Sequence, residues 1–225
     1  MEECKISQMY ELKETIAEKL FEGKEYPWEV LDDIEEFILQ LGPQLDKNIF
    51  EQKGENIWIA KSVTIASTAV LHGPLIIDED TEVRPGAFIR GKAIIGKHCV
   101  IGNSTEIKND VLFNYVQVPH YNYVGDSVLG FHSHMGAGSI TSNVKSDKTM
   151  VVVKHGSSEI ETGRKKFGAM LGDYVEVGCN SVLNPGTVIG PHTNIYPLSM
   201  VRGVIPSHAI LKNKFQYEVV VNQEG

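Results

Sequence analysis

Basic residues are in short supply. The 225-residue chain has 21 Lys and Arg against 29 Asp and Glu, a formal charge of −8. A surface of that sign repels phosphate backbones, which argues against a nucleic-acid binder. No apolar run reaches the ~18 residues that would suggest a membrane-spanning helix. The first twenty residues carry acids where a secretory leader needs a basic region followed by an apolar block. Only three cysteines occur, Cys4, Cys99 and Cys179, far apart and with no Cys-x-x-Cys pair. Such a set reads as reduced thiols in the cytoplasm, not as a disulfide framework or a zinc site.

An apolar content of 42% with 22% charged residues is enough for a sizeable core and excludes disorder throughout. The length suits one long domain, or one domain with an appendage. Residues 5–22 carry Ile6, Met9, Ile16 and Leu20 at helical spacing, and a second helix is expected from Pro27 to Leu41. Leu31, Ile34, Ile38 and Leu41 would share its apolar face, and Gly42-Pro43 would stop it. Residues 1–45 are therefore expected to form a short helical arm.

From residue 59 the period becomes six. Ile59, Ile65, Leu71, Ile77, Val83, Ile89, Ile95, Ile101, Ile107 and Phe113 form one tract; Leu171, Val177, Leu183, Ile189, Ile195 and Val201 form another. Four residues after each lies a mostly small side chain, such as Ala69, Ala87 or Ser181. A six-residue repeat means a parallel β-helix: one short strand and one turn per hexad, three hexads per triangular coil. Coils then stack about 4.8 Å apart. The expected fold is all-β, a parallel β-helix over 46–206. Weak hexads continue at Val124, Leu129 and Met135, and a loop is expected to leave the prism at about 144–170. The tail at 207–225 leaves the repeat, with Phe215, Tyr217, Val219 and Val221 alternating as a terminal strand would.

The chemistry concentrates in Val118–Asn143: His120, Tyr123, Gly125-Asp126, then Met135-Gly136-Ala137-Gly138-Ser139-Ile140-Thr141 and Asn143. With Arg84-Pro85-Gly86-Ala87 and Glu106-Ile107-Lys108 upstream, this stretch resembles the acetyltransferase half of the bacterial bifunctional enzyme that acetylates glucosamine-1-phosphate and then uridylylates it. The resemblance covers roughly residues 60–205. It implies a left-handed β-helix, a homotrimer with active sites between subunits, and acetyl-CoA as co-substrate, with no metal. It also implies that His120 is the general base, a task suited to an imidazole near neutral pH. The Ala137 N–H would support the oxyanion. Arg84 and Lys108 would hold the sugar phosphate, their 24-residue separation placing them on nearby coils. Tyr123, Asn143 and His134 would contact the sugar, His134 standing where the family usually has Asn. Lys148 or Lys145 would supply a further basic contact across a subunit boundary. Cys179, Pro197, Arg164 and Lys214 fall to the coenzyme. The other half's Gly-rich G-x-G-T-R loop does not occur, so nucleotidyl transfer is not expected.

Two other functions compete. A zinc carbonic anhydrase uses the same β-helix trimer, and His98, His120, His132, His134 and His155 are available, although no His-x4-His spacing is present. A non-catalytic trimer binding a sugar phosphate or nucleotide sugar is the third.

Overall fold

A computed structural model describes residues 1–213. Successive short strands pair in parallel with the strand one coil later, which produces three ladders, here faces A, B and C. Face A begins with Ile57–Ala60 and Leu75–Ile77, face B with Thr64–Ile65 and Glu82–Val83, and face C with Val70–Leu71 and Phe88–Ile89. Face A ends at Val204–Ile205, face B at Ile210–Leu211 and face C at Met200–Val201. The chain is thus a left-handed parallel β-helix whose prism interior is filled by the hexad residues. Phe50–Gly54 folds back antiparallel on Ile57–Ala60 and covers the otherwise open first edge.

The hexad register slips in a definite place. Leu112, not Phe113, is level with Ile95, because Glu106–Leu112 is one continuous strand running from face C to face A without the usual turn. Tyr123–Leu129 does the same one coil later. The step across the C/A corner is therefore five residues in those coils, Ile107 to Leu112 and Val124 to Leu129. It shortens to four between Val201 and Ile205. Across the A/B and B/C corners the step stays at six, as in Ile95 to Ile101 to Ile107 or Leu129 to Met135 to Thr141.

The expected loop also leaves and rejoins at the C/A corner, and it is structured. Val144 bridges Lys166 at its neck, and Val152–His155 pairs antiparallel with Ser158–Glu161 around Gly156. Val151, Val153 and Phe167 are fully buried, which anchors the excursion. The solenoid continues to Leu211, past residue 206 where the sequence repeat lapses. The expected terminal strand at 215–221 lies outside the described residues.

The N-terminal arm is less helical than its spacing predicts. Only Ile6–Met9 and Ile34–Leu41 are α-helical; Leu12–Glu14, Glu18–Phe21 and Pro27–Asp32 are single 3₁₀ segments. The cause is competition for backbone groups. Glu11 N–H donates to Asp173 Oδ2 at 2.8 Å, Met9 C=O accepts from Asp173 N, and Glu14 C=O accepts from Asn114 N. The chain spends its hydrogen bonds on the prism, not on itself.

That arm covers face A. The outward residues of this face, Ile76, Ile94, Val111, Val128, Met170 and Val188, stack level on level, and all are fully buried. Ile34 and Ile38 are buried with them, and Tyr10 and Phe21 pack on Phe113 at 5.1 and 5.7 Å between ring centroids. The other two outward columns differ. Face B presents Glu82, Gln117, His134, Glu176 and Asn194. Face C presents Val70, Phe88, Glu106, Tyr123, Ile140, Val182 and Met200, with Val70, Phe88 and Met200 exposed.

The A/B corner carries a stack of rings. His98, Tyr115, His132, Tyr174, His192 and His208 all have positive φ, and successive rings lie 4.6 to 5.4 Å apart. That spacing matches the rise between coils.

Candidate active site

Two edges of face C carry the candidate residues. At the B/C corner, the second residue after the inward face-B side chain forms one vertical column: His120, Ala137, Cys179, then Pro197. Four residues to which the resemblance gives the roles of base, oxyanion donor and coenzyme contacts thus occupy consecutive levels. Gly102 makes room beneath. A Cβ there would stand 1.6 Å from the Pro119 carbonyl oxygen, so only glycine lets the coil bearing His120 settle onto the one below.

His120 ends the strand Gln117–His120 and is exposed, and its imidazole has no recorded partner among the described residues. Its backbone is held instead, with Gly138 N–H donating to His120 C=O at 3.0 Å. The Ala137 N–H has no recorded acceptor among the described residues, while its carbonyl accepts from Asn180 N. An imidazole and an N–H one coil apart, both unbonded among the described residues, are what attack on a carbonyl requires.

The C/A corner holds a polar network. Asn109, Asp126 and Asn143 form a column over three levels. Asp126 is buried and accepts from all its neighbours: Asn109 Nδ2 at 2.9 Å, Asn143 Nδ2 at 2.5 Å and Lys108 Nζ at 2.9 and 3.1 Å. Asn143 Nδ2 also donates to the Tyr123 hydroxyl at 3.1 Å. The Tyr123 ring lies over Gly125, where a Cβ would meet the hydroxyl at 2.6 Å. Burial raises the Tyr123 pKa, and the nearby Asp110 and Asp126 carboxylates add to that, so its hydroxyl keeps its proton. Asp110, fully buried, is also pushed up by desolvation while its oxygens accept the Lys108 and Ser127 N–H groups.

Several assignments move. Arg84 and Lys108 do not share an edge. Their 24 residues are one coil plus one face, so Arg84 lies at the B/C corner, paired with Glu82 at 3.2 Å. The residue level with Lys108 one coil below is Arg90, 18 residues earlier and 2.7 Å from Glu106. Three hexads, one full coil, separate the two. His134 sits on face B, away from Tyr123 and Asn143, with Nδ1 2.8 Å from Glu176 Oε2. It lines an open groove of about 450 Å³ together with Cys179 and Pro197.

Arg164 is not with Cys179 and Pro197 either. It grips Asp32 of the arm with both guanidinium nitrogens, at 2.6 and 2.8 Å, beside Lys92, Lys108, Lys165 and Lys166. The excursion folds back over the C/A corner and carries Arg164 there. Lys148 is exposed on the excursion, with positive φ, and Lys145 sits near Lys154 and Arg202. Lys214 lies outside the described residues.

The five histidines considered for zinc diverge within one prism. His98 and His132 belong to the ring stack, His155 faces Glu3 at 3.4 Å, and His134 faces Glu176. Among the described residues no three His, Cys, Asp or Glu converge as a metal would require.

A bifunctional sugar-1-phosphate nucleotidylyltransferase/acetyltransferase of Sulfurisphaera tokodaii is 33% identical over 193 residues, covering 78% of this chain and 44% of that protein. The bifunctional protein GlmU of Methanococcus vannielii is 33% identical over 171 residues, 75% of this chain and 41% of that protein. The chain spans less than half the length of these relatives, and the part matched is the acetyltransferase part. Among solved structures, a hexapeptide transferase family protein from Anaplasma phagocytophilum superposes with a TM-score of 0.44 at 18% identity, over 58% of this chain and 67% of that one. Residues 71–205 match the family described as the GMPPB C-terminal domain. That span takes in more than half of the chain and both edges of face C, from Arg90 and Lys108 to Pro197, and by it this protein belongs to the GMPPB C-terminal domain family.

Proposed function

We propose that the protein is an N-acetyltransferase that moves the acetyl group of acetyl-CoA to the amine of an amino-sugar phosphate, with glucosamine-1-phosphate the leading acceptor. The observation that carries it is the column of His120, Ala137, Cys179 and Pro197 along one corner, facing Tyr123, Asn143 and Lys108 across a strand. Acetyl-CoA lies along that column. His120 takes a proton from the 2-amino group as its nitrogen attacks the thioester carbonyl. The Ala137 N–H receives the developing oxyanion. The C–S bond then breaks, and the imidazolium returns its proton to the departing thiolate. The phosphate is held at the opposite edge by Lys108 and Arg90, a point charge and a planar fork.

The uncovered apolar column of face C supports a homotrimer in which this face meets a neighbouring copy. The cytoplasm, where acetyl-CoA and reduced thiols are available, suits the three free cysteines.

A thiol-release assay with acetyl-CoA across amino-sugar phosphates tests the activity. Turnover is expected, falling 10²–10⁴-fold in His120→Ala. An unchanged His120→Ala rate removes the mechanism. Binding of the sugar phosphate without turnover would favour the non-catalytic trimer instead. Light scattering that returns the 24.9 kDa mass of a single chain would remove the trimer.

A further inference from the structure

One column of the prism breaks its own pattern at the level of the candidate base. The small residues inside the B/C corner are Ala69, Ala87, Thr105, Asn122, Ser139, Ser181 and Ser199. Six are Ala, Ser or Thr, as a narrow corner demands, and one is an amide. Asn122 is 3% exposed and every polar atom of its side chain is engaged. Its Oδ1 accepts the His120 N–H at 3.0 Å. Its Nδ2 donates to the Gly136 carbonyl at 2.9 Å and to the Ser139 carbonyl and hydroxyl, both at 3.1 Å.

These bonds join two particular turns. On one side is the backbone of His120; on the other, Gly136 and Ser139 bracket Ala137, whose N–H has no acceptor among the described residues. The Ser139 hydroxyl donates to the same Gly136 carbonyl at 2.7 Å, and Gly138 N–H returns to His120 C=O. Packing does not explain the amide, since serine or threonine suffices one coil above and one below. Departures from a local rule that carry complete hydrogen bonding are where function is expected to override packing.

We propose that Asn122 is a positioning residue: it fixes the distance between the His120 imidazole and the Ala137 N–H, so that base and oxyanion donor act on the same carbonyl addition. This rests on the acetyl-transfer reading above. Asn122 does not touch the substrates. It acts through the two turns that do.

Asn122→Ser is the test, because serine occupies this position at three other levels of the same column and the coil accepts it. A shift of the two groups by about 1 Å is worth about a hundredfold in rate. The expected result is kcat lower by about that factor with KM for acetyl-CoA and for the sugar phosphate within twofold of wild type. Asn122→Asp keeps the acceptor for His120 N–H but loses the donor to Gly136, and should also lose rate. A second readout does not need turnover: long-range ¹H–¹⁵N imidazole spectra of wild type and Asn122→Ser. The His120 signals should move or broaden while those of His98, His192 and His208 stay in place. If wild type turns over and Asn122→Ser keeps its kcat, the positioning role is wrong. If wild type does not turn over, the acetyl-transfer reading fails separately, and unmoved His120 signals would then overturn the positioning role as well.

Discussion

Replacing Asp126 with Asn probes whether the C/A corner is held by a charge or by shape. The change is nearly isosteric, and the backbone at Asp126 has φ +51, a region Asn accepts at least as well as Asp. What changes is electrostatics. Lys108 Nζ loses its carboxylate at 2.9 Å, and the new amide can no longer accept from Lys108, Asn109 and Asn143 together. Breaking a buried pair costs about 3–5 kcal/mol. The Lys108 side chain is 22% exposed and can turn toward water, which reduces the penalty to about 2–3 kcal/mol. Lys108→Met leaves the Asp126 anion buried with two amide donors, so it too should cost about 2–3 kcal/mol. The double variant removes both charges, and a coupling of about 1–2 kcal/mol is expected, above the 0.2–1 of exposed pairs. Urea unfolding of the four proteins at constant m measures it. A coupling under about 0.5 kcal/mol would mean that the carboxylate serves only as a shape, and that Lys108 is free to bind phosphate without leaving a partner.

Other expectations follow from the same structure. Arg90→Ala should raise KM for the sugar phosphate about tenfold or more with little change for acetyl-CoA, while Arg84→Ala, at the other corner, should not; equal effects would move the phosphate seat. Ile34→Ala, at a fully buried position over face A, should cost about 2–5 kcal/mol in denaturant unfolding; a loss under 1 kcal/mol would mean the arm is only loosely held. Burial raises the Asp173 pKa to about 6, although Glu11 and Phe131 N–H groups oppose the shift. An acid whose pKa is raised on folding stabilises the folded state when protonated, so its contribution is full below pH ~4 and is lost as pH climbs through about 6. Unfolding free energies at pH 4, 5, 6 and 7 should show that decline, and Asp173→Asn should flatten it.

The six-residue period is easily read because each hexad puts one aliphatic side chain inside, and that requirement does not depend on which face it serves. The face assignment is harder to read, since it needs the 18-residue coil and the points at which the count slips. Taking Phe113 as the tenth hexad residue hid the five-residue step to Leu112. The 24 residues from Arg84 to Lys108 are one coil and one face, whereas Arg90 is a single coil away. His120, Ala137, Cys179 and Pro197 were each visible as residues, yet their alignment in one column appears only when the coils are stacked. The arm misleads for a different reason. Ile6, Met9, Ile16 and Leu20 have helical spacing, but Asp173 and Asn114 capture the backbone of that segment, a long-range competition that local periodicity does not contain. The cover it forms is nevertheless marked by Ile76, Ile94, Val111, Val128, Met170 and Val188, each just before an inward residue of face A.

The ring stack at the A/B corner has a consequence for how such a protein can change. Rings 4.6 to 5.4 Å apart stay in contact only while every coil returns to that edge in step, so one added residue there would throw each later ring out of line. The C/A edge has no such constraint, and it is where the chain has lost residues at three levels and gained a whole excursion at another. The division falls across the candidate site. His120 and Ala137 sit on an edge of fixed count, whereas Lys108, Asp126, Asn143 and the loop bearing Arg164 sit on the variable one. Insertions and deletions can therefore remodel what the protein holds while leaving undisturbed the groups that would perform the transfer.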